Sequence, residues 1–207
     1  MTVIFRKKVK NGDIHRLKRE ASLLSKIPYH AGIVRYIGYQ DLPSPRILLP
    51  HYPLGTIQPA GEAITLKRLL PIAQALEYLH KEIGLIHLDV KPANILLRTA
   101  DSAILADFSH SLMMSDWQVN MGYGTLMFTS PEICAGHCVD PRAADVWALG
   151  MTTLVLLNEG KYPFENAVDL LTGMNDFRPP RLAVSSRTQN LIDSCLIEDP
   201  LLRKIIF

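Results

Sequence analysis

From Ile14 onward the apolar residues Leu17, Ala21, Leu24 and Ile27 recur at intervals of three and four with charged residues between them, the period of a helix with one buried stripe. Asp13 stands where a helix cap belongs, and Pro28 where the helix has to stop. Ahead of it, Thr2 to Val9 is β-branched and aromatic enough for a strand, with Asn11-Gly12 as the turn. Ile33 to Tyr39 and Arg46 to Leu49 predict two more strands, with Gly38 and Pro43-Ser44-Pro45 as turn material. Pro50 to Gly61 holds three prolines and two glycines in 12 residues. It reads as a linker, dividing the chain into a first lobe over 1–49, a linker over 50–61 and a second lobe over 62–207.

Beyond the linker, Leu66, Leu69, Leu70, Ala73, Leu76 and His80 predict helix over Thr65 to Ile83. A proline inside a helix costs about 3 kcal/mol, so the helix is expected to restart at Pro71. Short strands at Ile95 to Leu97 and Ala103 to Ala106, an irregular stretch to Pro131, and helices including Ala143 to Asn158 and Ser185 to Leu196 complete the pattern.

Composition narrows the function. The 207 residues are 48% hydrophobic and 20% charged, a globular balance, and 22 basic against 20 acidic side chains leave a formal charge of +2. That is too even for binding along a phosphate backbone, so no nucleic-acid partner is expected. Cys134, Cys138 and Cys195 are odd in number and lack metal-ligand spacing, which predicts reduced thiols rather than disulfides or zinc. The amino terminus is charged where a signal peptide is apolar, and the longest apolar stretch, Val146 to Leu157, is too short to span a bilayer. A soluble intracellular chain, cytoplasmic or nuclear, with no membrane partner is expected.

The chemistry gathers on two loops. His87-Leu88-Asp89-Val90-Lys91-Pro92-Ala93-Asn94 follows a helix, and Asp107-Phe108-Ser109 follows the next strand. Two carboxylates, a lysine and an amide suit phosphoryl transfer, where a protein holds magnesium on phosphates, orients a hydroxyl and neutralises charge. Asn94 five residues after Asp89, with the Asp-Phe pair 18 residues on, makes the combination specific.

On these residues the chain resembles a eukaryotic-type protein kinase. HLDVKPAN resembles the catalytic loop and Asp107-Phe108-Ser109 the magnesium-binding DFG. Gly124-Thr125 through Ser130-Pro131-Glu132 resembles the end of the activation segment, and Asp145-Val146-Trp147-Ala148-Leu149-Gly150 the large central helix. The resemblance implies an α+β, bilobal fold with an incomplete small β lobe and a mainly helical carboxyl-terminal lobe. It also implies ATP and Mg2+ as cofactors and Ser/Thr hydroxyls of proteins as acceptors. Asp89 would accept the hydroxyl proton, Lys91 would sit on the γ-phosphate, and Asn94 and Asp107 would hold the metal. Thr125 would bond Asp89 and Lys91. Glu20 would pair with a strand lysine: Lys7 on the family alignment, although a one-residue slip would bring Arg6 or Lys8 to the cleft instead. Leu49 would be the gatekeeper, with Pro50, His51 and Tyr52 as the adenine-binding hinge. His87, Phe108 and Leu24 would stack in a hydrophobic spine, and Glu132 would pair with Arg203.

The pattern is broken in places. No glycine-rich loop precedes the first strand, which implies either an incomplete gene product or a reduced kinase. Ser109 replaces a glycine, Leu88 replaces the arginine that grips a phosphorylated loop, and Ala93 and Val155 are apolar where basic-directed kinases carry carboxylates. The main expectation is a serine/threonine kinase whose activity is constitutive or controlled by a regulatory partner at the Glu20 helix. The alternatives are a catalytically impaired binding or scaffold module and, less favoured by Thr125 and Lys91, phosphotransfer to a small molecule.

Overall fold

The computed structural model describes residues 4–8, 13–118, 124–136, 140–165 and 177–206. The Asn11-Gly12 turn, both ends of the Thr2 to Val9 strand, and Cys138 lie outside them. Strands β1 (Ile4–Lys8), β2 (Gly38–Gln40) and β3 (Arg46–Pro50) form an antiparallel sheet in the order β1-β3-β2. Ile47 and Leu49 are buried on one face of β3, and the register sets Lys7 opposite Ile47 and Phe5 opposite Leu49. Residues directly opposite share a face of the pleat, so Lys7 is turned inward while Arg6 and Lys8 are exposed. Helix α1 (Ile14–Lys26) packs on this sheet through Leu17, Ala21 and Leu24, and the Asp13 carboxylate caps it by accepting from Arg16 N at 2.9 Å.

The strand expected over Ile33 to Tyr39 is not there; only Gly38–Gln40 is strand. The preceding backbone is drawn elsewhere. Val34 N donates to Leu105 O and Leu105 N to Gly32 O, each at 2.8 Å, which fastens residues 32–34 to strand β6 (Ser102–Leu105). That strand forms a hairpin with β5 (Ile95–Thr99), and β5 in turn receives the linker: Leu97 N donates to Gly55 O and Ile57 N to Ile95 O, again at 2.8 Å.

Helix α2 (Glu62–Tyr78) runs through Pro71 without restarting, contrary to its local propensity. Leu69, Ile72, Ala73 and Leu76 on either side of the proline are all buried. Each large apolar side chain buried is worth about 1.5–3 kcal/mol, so a continuous face outweighs one missing hydrogen bond. Gly32 crosses directly over the Pro71 carbonyl, where a Cβ would collide. A wider helical turn, 79–83, ends the helix at Gly84.

The two-residue strands β4 (Leu85–Ile86) and β7 (Leu112–Met113) pair around the loop that carries His87 to Asn94. Helix α3 (Pro131–Cys134) leads to α4 (Pro141–Leu157), which is buried on nearly every side, and α5 (Ser186–Cys195) packs against it. Among the described residues no helix is long and apolar enough to cross a membrane. Cys134 and Cys195 are free thiols, and burial pushes them up to about 11 and about 12.

Candidate active site

Asp89 is buried beyond the end of β4 and is ringed by donors. Asn94 Nδ2 donates to Asp89 Oδ2 at 2.7 Å and to its backbone oxygen at 2.8 Å. Lys91 Nζ lies 2.8 Å from Oδ2, and Thr125 Oγ1 donates to Oδ1 at 2.7 Å while accepting from Lys91. Gly124 makes the last contact possible. Its φ is +77° and it passes against the Leu88 carbonyl, where any Cβ would clash.

Across the cleft the Lys7 ammonium sits 2.6 Å from both Glu20 Oε1 and Asp107 Oδ1. Of the three cations on β1, Lys7 is therefore the one brought to Glu20; Lys8 reaches only the cleft wall. Burial pushes the Asp107 carboxyl up, but the charge and hydrogen bond of Lys7 and the Ser109 N–H overcome it and hold the group well below the ordinary carboxylate range. Glu20 is buried more deeply, and there burial prevails over Lys7 and raises its pKa. The shared ammonium thus leaves Asp107 the firmly charged carboxylate of the pair. Glu20 also accepts from Phe108 N at 3.1 Å.

The floor of the cleft rests on Asp145, from the central-helix motif, and on His87. The Asp145 carboxylate has no exposed surface and accepts from His87 N, Leu88 N and His80 Nε2, each at 2.8 Å. It thereby holds Leu88 at φ +62°, a left-handed conformation costly for leucine. Asp145 is the one charge in the apolar run from Ala143 to Leu157, and a buried charge needs partners. His87 donates from Nε2 to Ala106 O and accepts Asp89 N at Nδ1, which makes it a neutral structural imidazole; complete burial lowers its pKa. Its ring meets Phe108 edge-on at 4.8 Å. His110 and Arg16, which no sequence motif singled out, line the same cleft.

The cleft encloses about 500 Å³ and is bordered by Lys7, Glu20, Asp89, Lys91, Asn94 and Asp107. Leu49, His51 and Tyr52 are not among the residues that border it. Leu49 is buried in β3, His51 is exposed, and the Tyr52 carbonyl accepts from Gly55 N at 3.1 Å. The donor set fits a hard dication. Asn94 turns its NH2 to Asp89, leaving its carbonyl oxygen as an acceptor, and the ionised Asp107 is partly open to the cleft. Two protein oxygens suit Mg2+, which keeps its remaining positions for water and phosphate. Further down, Arg203 Nη1 and Nη2 grip Glu132 Oε1 and Oε2 at 2.5 and 2.8 Å, fully buried beside Trp147.

Residues 2–205 match the protein kinase domain. The chain is 33% identical over 147 residues to the Arabidopsis thaliana serine/threonine-protein kinase GRIK1, covering 68% of this chain and 36% of that protein. It is 34% identical over 142 residues to the Dictyostelium discoideum serine/threonine-protein kinase pakE, covering 65% of this chain and 15% of the relative. Against Danio rerio Aurora kinase B it is 30% identical over 216 residues, which takes in 98% of this chain and 66% of the other. The chain thus spans only part of the length of these relatives. The match runs from the sheet that carries Lys7 to the helices that carry Asp145 and the loop of Arg203, so it describes the chain from end to end: this protein belongs to the protein kinase family.

Proposed function

We propose that this protein transfers the γ-phosphate of ATP to serine and threonine hydroxyls of protein substrates. The observation that carries the reading is the facing pair of clusters: Asp89 with Lys91, Thr125 and Asn94 on one side, and Lys7 between Glu20 and Asp107 on the other. Lys7, kept in place by Glu20, binds the α- and β-phosphates. Lys91 neutralises charge on the γ-phosphate, and Thr125 holds both Lys91 and Asp89 in register. The acceptor hydroxyl hydrogen-bonds to Asp89 and attacks phosphorus as the bond from phosphorus to the bridging oxygen of ADP breaks; its proton passes to Asp89. Mg2+, held by Asp107 and Asn94, supplies charge neutralisation on the phosphates when bound. Leu49, His51 and Tyr52, where β3 leaves the sheet, take the adenine end.

A second cavity of about 460 Å³ adjoins the first and shares Lys91 and Ala93 with it, and Thr125 lines the second. Phe128, Val155 and Tyr162 line it, and no carboxylate does so among the described residues. This favours protein substrates without a basic determinant. The exposed side of α1 is the place for a regulatory partner. The scaffold alternative draws no support from this geometry, since every charged group the transfer needs is present. The test is Asp107→Asn, which replaces a charged ligand with an amide. By calorimetry the variant should lose Mg2+-dependent ATP binding while its circular dichroism spectrum stays that of the parent; equal phosphotransfer by both proteins would refute the reading.

A further inference from the structure

His110 stands in the cleft between helix α1 and Asp89, and the proposed reaction does not use it. Its Nε2 lies 2.5 Å from Arg16 Nη2. Its Nδ1 lies 3.5 Å from Asp89 Oδ2 and is buried without a hydrogen-bond partner. A guanidinium offers only N–H donors, so the ring nitrogen that faces it has to be the one with the lone pair. The single ring proton therefore sits on Nδ1, the nitrogen turned toward Asp89.

Arg16 is itself fixed. Its Nε donates to Ser109 O at 3.1 Å, and one turn on Arg19 Nη2 donates to Ser111 O at 3.2 Å, so helix α1 grips the segment after Asp107 by its backbone. The charged groups around the imidazole are Asp89, Arg16, Asp107 and Lys91. Burial, Arg16 and Lys91 disfavour the imidazolium, the two carboxylates favour it, and the balance lies with the neutral ring.

We infer that His110 is a positioning residue for Asp89, held by Arg16 in the neutral Nδ1–H tautomer, so that the seating of helix α1 decides whether Asp89 faces a neutral donor or a cation. The inference rests on the reading of Asp89 as proton acceptor. With α1 seated, the neutral ring turns its Nδ1–H toward Asp89 without adding a charge beside it. With α1 withdrawn, Nε2 is free to take a proton, and the imidazolium beside Asp89 lowers its readiness to accept another from the hydroxyl.

The experiment compares the parent with Arg16→Met, His110→Asn and the double variant. In the parent, NMR titration of the His110 ring should show Nε2 unprotonated and a midpoint below the ordinary histidine value of about 6.5. In Arg16→Met that midpoint should rise. The kcat of Arg16→Met on a peptide substrate should fall about tenfold between pH 7.5 and 5.5, as expected for protonation of one group near pH 6.5, with the KM for ATP unchanged across that range. His110→Asn and the double variant should lack that limb. Coincident His110 titrations in the parent and Arg16→Met, or a limb that survives in the double variant, would overturn the inference. A parent without turnover on any peptide would overturn the phosphotransfer reading alone, because the ring titration reads the tautomer without catalysis.

Discussion

Replacing Glu132 by alanine should be among the most destabilising single changes available to this protein. The Arg203 side chain has no exposed surface and Glu132 only 6%, so truncating the carboxylate strands a guanidinium where water cannot reach it. Removal of one partner from such a pair costs about 3–5 kcal/mol, against the roughly 5–15 kcal/mol that holds a whole domain together. Arg203 keeps three other acceptors, Ile197 O at 2.7 Å, Glu198 O at 2.9 Å and Ala143 O at 3.3 Å. They are dipoles rather than a charge, so they soften the loss without cancelling it. With a urea slope of about 2 kcal/mol per molar, the unfolding midpoint should drop by about 2 M. Arg203→Met should cost a similar amount, since Glu132 is then the unpaired charge and the carbonyls lose their donors. The double change Glu132→Leu with Arg203→Met should cost clearly less than the two single changes added, because neither charge is left behind. Strict additivity, or a loss below about 1 kcal/mol in Glu132→Ala, would show that the pair does not fasten helix α3 to the carboxyl-terminal turn.

Three further outcomes are expected. Lys7→Met should lower kcat/KM for ATP by about 100-fold or more, the scale for losing a preorganised donor, whereas Arg6→Met and Lys8→Met should stay within a few-fold of the parent; steady-state kinetics on the three variants checks this. Stability should decline as pH falls below about 6.5, because the unfolded chain protonates His87 there while the buried neutral ring, with its lowered pKa, does not. The slope approaches about 1.4 kcal/mol per pH unit for that one group, and urea midpoints at pH 7 and 5.5 should converge in His87→Phe. Phosphatase treatment of active protein should leave most activity in place, since Leu88 offers no donor to a loop phosphate; a large loss restored by rephosphorylation would refute this.

What could be read from the chain before folding was decided by how local each signal is. The α1 stripe, the Asp13 cap and the spacing from Asp89 to Asn94 are short-range patterns, and all three reappear in the structure. The choice among Arg6, Lys7 and Lys8 was open because strand alternation fixes a face only relative to a partner; Ile47 and Leu49 of β3 supply it. Pro71 misled because its penalty is local while the burial of Leu69, Ile72 and Leu76 depends on the tertiary fold. Ile33 to Tyr39 has strand composition, yet ahead of Gly38 its pairing is one bridge from Ile33 to Leu105 and single backbone bonds from Val34 N to Leu105 O and from Ile37 N to Leu48 O. His110 had no sequence signal, since its meaning comes from Arg16, 94 positions away along the chain.

The β5–β6 hairpin holds the chain at both of its passages to the amino-terminal sheet, Gly32 and Val34 on the β6 side and Gly55 and Ile57 on the β5 side. Two pinned points define a line, and a body pinned along a line retains one rotation and loses sliding and twisting. The sheet with α1 can therefore swing open like a door on two hinges set a hairpin's width apart. The nucleotide of the proposed reaction would enter and leave by that swing, and on closing, the Lys7 ammonium returns along a fixed arc to the Asp107 carboxylate.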